Sequence, residues 1–116
     1  MGAMGLPGDF SSQSRFIRAA FIKMNSPYFH LEEDNVGQFF HIMDSVAQPI
    51  GSVMVEKDEY EKTIYTSCIN ADKGIYYYTT YNNRQINAVN MYREDLNGQY
   101  LKAFEILNKQ KINGQN

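Results

Sequence analysis

Near Tyr60 the spacing of apolar side chains changes from helical to alternating, so the chain must combine helices with a sheet, in that order. Upstream, Phe16, Ile17, Ala20, Phe21 and Met24 recur at helical spacing after the capping oxygens of Ser11 and Ser12, which predicts a first helix over residues 12–24. Those five side chains form one stripe, and Arg15 and Arg18 share the opposite side with Ala19 and Ile22, free to face a cleft or solvent. Pro27 disfavours helical geometry at Ser26 and ends this element. A second helix is expected from Glu33 or Asp34, whose carboxylates complement the positive end of the dipole, through Val46 or Ala47. Pro49 and Gly51 close it, and the charge run at 56–59 is expected to be a solvated loop.

Downstream, β-branched and aromatic residues dominate 63–69 and 75–81, separated by the turn-forming Asn70-Ala71-Asp72-Lys73-Gly74. Asn82-Asn83 marks a second tight turn into a third strand over 85–91, giving three consecutive antiparallel strands. Residues 100–107 suit a helix by propensity and a strand by alternation, and 109–116 is polar and expected to fray.

With 116 residues, of which 43% are hydrophobic and 21% charged, the chain has the make-up of one globular domain. Its net charge of -2, with eleven Lys and Arg scattered along it, supplies no basic field for a nucleic-acid partner. No apolar run approaches the roughly 20 residues of a membrane span, and the start lacks the pattern of a secretion signal, so a cytoplasmic location is expected. The single Cys68 has no partner for an internal disulfide and no cationic neighbour in sequence to activate it, so it is expected to fill core within a strand. His30 and His41 match no metal-ligand spacing, and the glycines at 2, 5 and 8 follow no strand, so neither a metal nor a dinucleotide cofactor is expected. The tyrosines at 65, 76, 77, 78, 81 and 92 are expected to pack on the sheet, since no basic residues interleave them for base stacking.

Two stretches carry a family resemblance: Leu6-Pro7-Gly8-Asp9-Phe10-Ser11-Ser12-Gln13-Ser14-Arg15-Phe16-Ile17-Arg18-Ala19-Ala20-Phe21 and Tyr65-Thr66-Ser67-Cys68-Ile69-Asn70-Ala71-Asp72-Lys73-Gly74-Ile75-Tyr76-Tyr77-Tyr78. Together they resemble the C-terminal part of the choloylglycine hydrolases, the family of bile salt hydrolases and penicillin V acylases. The resemblance runs from the first residue nearly to the last, and it implies an α+β fold. Residues 1–116 would be the C-terminal segment of a four-layer α-β-β-α sandwich, contributing outer-layer helices and then strands of the central sheets. It also favours a strand over 100–107.

Members of that family are amidases whose nucleophile is an N-terminal cysteine. Here Met1-Gly2 stands at the start, so the resemblance implies that the nucleophile is absent and that this chain alone is inactive, with an apolar sheet face and strand edges left open. Arg15, in the Ser14-Arg15-Phe16 triplet, corresponds to the arginine beside the cysteine and is the implied catalytic residue; Arg18 is assigned a structural role. The implied substrate of the complete enzyme is a conjugated bile salt, split to bile acid and glycine or taurine, with penicillin V as an alternative. The implied complete enzyme is a homo-oligomer without cofactor or metal. A competing expectation is a non-enzymatic remnant or a small interaction module pairing through its open sheet edge. Gly5-Leu6-Pro7-Gly8-Asp9 and the run ending in Tyr76-Tyr77-Tyr78 look closer to the bile-salt side; Ile69 stands where some relatives carry a second cysteine.

Overall fold

A computed structural model describes residues 2–116, which divide between Thr63 and Ile64 into two compact units. The first unit holds α1 (Ser12–Asn25), α2 (Glu32–Asp44) and a small hairpin of β1 (Met54–Glu56) and β2 (Glu59–Tyr60). Helix α1 starts where expected because Ser11 is its N-cap, its side chain accepting from the Ser14 N–H at 3.3 Å. Asp9 reinforces that start, accepting from the Ser11 N–H at 2.8 Å and from the Ser14 hydroxyl at 2.6 Å. Helix α2 has no side-chain cap at Leu31, but Glu32, Glu33 and Asp34 fill its first turn. Asn35 clamps the preceding loop instead, accepting from the Phe29 N–H at 2.9 Å and donating to the Phe29 carbonyl at 2.7 Å.

Two expectations are corrected here. Helix α2 ends at Asp44 rather than at Val46 or Ala47, because the Ser45 hydroxyl takes the Ile42 carbonyl at 2.6 Å and Pro49 follows closely. The charge run at 56–59 is exposed as expected but is a hairpin rather than a loop: Glu56 pairs with Glu59 and Asp58 turns the chain at φ 65°. Aspartate tolerates that left-handed geometry, so the turn is carried by a residue that reads as surface charge.

The second unit is a three-stranded antiparallel sheet of β3 (Tyr65–Asn70), β4 (Ile75–Thr80) and β5 (Asn83–Asn90) in sequential order, followed by a 3-10 turn (Met91–Arg93). The β3–β4 turn uses the Asn70 side chain, which accepts from the Lys73 N–H at 3.1 Å, and Gly74 at φ 62°. Pairing of Cys68 with Tyr77 and of Tyr77 with Ala88 places these three on one face; Ile69, Tyr76 and Val89 line the other. Tyr76 and Tyr78 share that second face, their ring centroids 6.0 Å apart, but Tyr65, Tyr76, Tyr81 and Tyr92 are exposed, so the expected packing of the tyrosines is met only in part. The β4–β5 turn lies at Tyr81-Asn82, so β5 starts two residues before the expected 85.

Asn83, only 4% exposed, donates to the Leu107 carbonyl at 2.8 Å and accepts from the Gln85 N–H at 3.1 Å. The strand expected over 100–107 is not formed. Instead the tail passes β5 in the antiparallel sense and is held by side chains: the Leu107 N–H donates to the Tyr78 hydroxyl at 3.0 Å, and the Arg84 N–H to the Gln110 side chain at 2.8 Å. Side chains occupy the positions a backbone ladder would need, and within the stretch expected to fray Gln110 is tied down.

Among the described residues, the buried apolar side chains are Phe40 and Val46, both in the first unit. The stripe of α1 that the periodicity points at a core is open: Phe16 is 75% and Met24 83% exposed, with Ile17 and Phe21 also exposed. Arg15, Arg18, Ala19 and Ile22, the side expected outward, are each half-buried.

Candidate active-site arginine

Arg15 lies in the opening turns of α1, fixed in the chain by the Arg15 N–H donating to the Ser11 carbonyl at 3.0 Å. Its Nε donates to the Val46 carbonyl at 3.0 Å, and one helical turn further on Arg18 Nε donates to the Ser45 carbonyl at 3.2 Å. Those carbonyls follow the last turn of α2, the negative end of its dipole, which favours cationic neighbours. Arg18 and the Nε of Arg15 therefore bond the chain's own backbone, while both residues are only half-buried. Arg18 also donates through Nη1 to the Pro7 carbonyl at 3.0 Å and the Asp9 carbonyl at 2.6 Å, joining the turn before α1 to the end of α2.

Carbonyl acceptors orient a guanidinium without cancelling its charge. No carboxylate among the described residues pairs with Arg15, so the partnership ordinary for a surface arginine is not the one made here. Half-buried and with Nε committed, Arg15 keeps a whole positive charge and the donors of its planar fork for a ligand anion or a developing oxyanion.

Asp9 and Ser14 support this arrangement and were not singled out by pattern, although Asp9, Ser11 and Ser14 stand at helix-capping spacing. Hydrogen bonds from Ser11 first, and then Ser14, lower the Asp9 pKa from 3.8 to about 2. Ser14 is the buried member of α1. Cys68 stands in β3 of the second unit, half-buried rather than fully packed, and desolvation raises its pKa, which keeps it a thiol and a poor nucleophile. His30 and His41 are both exposed, and among the described residues no three His, Cys, Asp or Glu side chains gather as a metal site. The second unit has a cleft of about 330 Å³, floored by Ile75, Tyr77 and Ala88 and bordered by Arg93, Glu94 and Phe104. It holds no Ser, Thr, Cys or His, and Asn90 lies beside its apolar floor and charged rim. No described helix is long and apolar enough to cross a membrane.

The sequence profile of the linear amide C-N hydrolases, choloylglycine hydrolase family, matches residues 1–104. A bile salt hydrolase/transferase of Lactiplantibacillus plantarum is 51% identical over 106 residues, covering 91% of this chain and 33% of the relative. One from Clostridium perfringens is 42% identical over 117 residues, covering 99% of this chain and 35% of its own length. The structure of a mutant conjugated bile acid hydrolase from Clostridium perfringens superposes with a TM-score of 0.84 at 43% identity, over 100% of this chain and 35% of that one. Penicillin V acylase from Agrobacterium tumefaciens, at 19% identity, shares the fold, with a TM-score of 0.67 over 80% of this chain and 29% of that one. The chain thus spans about a third of the length of the curated relatives it matches. Two helices followed by antiparallel strands, an α+β arrangement matching part of a bile acid hydrolase, and a matching profile over most of its length place this chain in the choloylglycine hydrolase family.

Proposed function

We propose that this chain is the arginine-bearing C-terminal part of a bile salt hydrolase, built into a four-layer α-β-β-α sandwich. A cysteine thiolate outside these 116 residues attacks the amide carbonyl of a conjugated bile salt, glycine or taurine leaves, and water releases the bile acid from the thioester. Arg15 sits beside that cysteine, where a fixed positive charge favours the thiolate and steadies the negative charge of the tetrahedral intermediate. The observation that carries this reading is the Arg15 guanidinium itself, held at Nε by the Val46 carbonyl and unpaired with any carboxylate among the described residues. The 116-residue chain by itself is inactive, because the thiolate of this mechanism lies outside it and its own Cys68 stands within β3 of the second unit. A cytoplasmic homo-oligomer without cofactor belongs to the same proposal.

The experiment is release of glycine or taurine from conjugated bile salts by the complete protein, compared with Arg15→Gln. Loss of about 10²-fold in kcat/KM is expected, the scale of removing one oxyanion donor. Unchanged kcat/KM in Arg15→Gln would remove the arginine from the site, and faster turnover of penicillin V than of any bile salt would replace the substrate. The exposed α1 stripe favours a second reading, a non-enzymatic interaction module. A complete protein that leaves every conjugate intact while the 116-residue chain melts cooperatively as a monomer would support it.

A further inference from the structure

Arg18 gathers three backbone carbonyls from two separate segments: Ser45 after α2, and Pro7 and Asp9 before α1. The Ser45 carbonyl belongs to the residue directly preceding Val46, whose carbonyl orients Arg15. Arg18 thus holds the backbone unit next to the acceptor on which the Arg15 side chain depends. Its other hand, Nη1, grips the turn whose Asp9 carboxylate binds the Ser11 N–H and the buried Ser14 hydroxyl, and so sets where α1 begins.

Resting on the bile salt hydrolase reading, we propose that Arg18, together with the Asp9 turn, is a positioning residue for Arg15, fixing the direction of its guanidinium toward the reacting carbonyl. The fork of an arginine is needed for this. Nε and Nη1 diverge from one rigid plane and reach acceptors on both segments at 2.6 to 3.2 Å. A lysine at 18 keeps the charge on a flexible stem, with its donors on a single nitrogen, and leaves the Ser45 carbonyl or the turn unheld. The Val46 carbonyl then drifts, and the Arg15 fork with it. A misplacement near 1 Å in a catalytic group costs up to about 10²-fold in rate, so even a small loosening registers in kcat.

The test is a double-mutant cycle in the complete enzyme, with Arg18→Lys and Arg15→Gln, reading kcat and KM for a glycine-conjugated bile salt. Arg18→Lys is expected to lower kcat about tenfold with KM within about twofold, and to lower it no further once Arg15 is already Gln. An equal fall in both backgrounds would make Arg18 a purely structural residue and overturn the proposal, as would an unchanged kcat in the single variant. If Arg15→Gln alone leaves kcat/KM intact, the reading of Arg15 fails instead. Where Arg18→Lys does not fold, Asp9→Asn enters the same cycle with the same expectation, since it loosens the turn that Arg18 grips and leaves both arginines in place.

Discussion

Asp9 is exposed, yet its carboxyl is held near a pKa of about 2 by the Ser11 and Ser14 donors, so it favours the folded start of α1 only while ionised. A carboxyl whose folded value lies below its unfolded 3.8 contributes in full above that unfolded value and loses its contribution as the pH falls toward 2. Melting temperature measured from pH 6 down to 2 should therefore fall more steeply in the wild-type protein than in Asp9→Asn, most of the difference appearing below pH 4. Parallel curves would show that the carboxylate has no such part. The Ser14-Arg15-Phe16 triplet is what singles out Arg15 for its proposed role. The partner of Arg15 was not legible: Val46 lies thirty-one positions on, and a backbone carbonyl has no signature in the residue that bears it. Spacing fixes only that Arg18 shares a helix side with Arg15, and does not reveal its carbonyl acceptors.

At the scale of the elements, glycine and asparagine decide the sheet. Gly74 is at φ 62°, and a Cβ there would lie 2.8 Å from the Tyr92 ring, so Gly74→Ala should cost about 1–2 kcal/mol, read as a lower denaturation midpoint. Gly114, with only a distant neighbour at 4.0 Å, should tolerate alanine. Asn83→Ala removes both a donor to the Leu107 carbonyl and an acceptor for the Gln85 N–H, at about 1–3 kcal/mol. Hydrogen exchange should then quicken at the Gln85 amide, and at the Leu107 amide as the tail loosens, while the β3–β4 pairs keep their protection. Helix starts and the three strands were readable because caps, turn residues and periodicity agree there. The β1–β2 hairpin was hidden because Asp58 makes its turn inside a charge run, and the tail misled because Leu101 and Ala103 alternate like a strand while side chains hold its backbone.

Over the whole molecule, the misplaced expectation is the α1 stripe, whose period is that of a buried face while its aromatic and methionine side chains stand open. Within the first unit this stripe is uncovered, although its period is that of a face meant to meet another layer. The isolated chain should consequently bind a hydrophobic dye and self-associate at micromolar concentration, and both properties should vanish in the complete protein. The most direct test is a crystal structure of the complete protein, measuring the distance from the Arg15 guanidinium to the sulfur of the cysteine nucleophile that the proposal requires. A separation of about 4–6 Å, within which a charge shifts a neighbour's pKa, is expected, with Arg15 Nε still on the Val46 carbonyl. An Arg15 more than about 10 Å from that sulfur, beyond a Debye length at ordinary salt, would contradict its place in the chemistry.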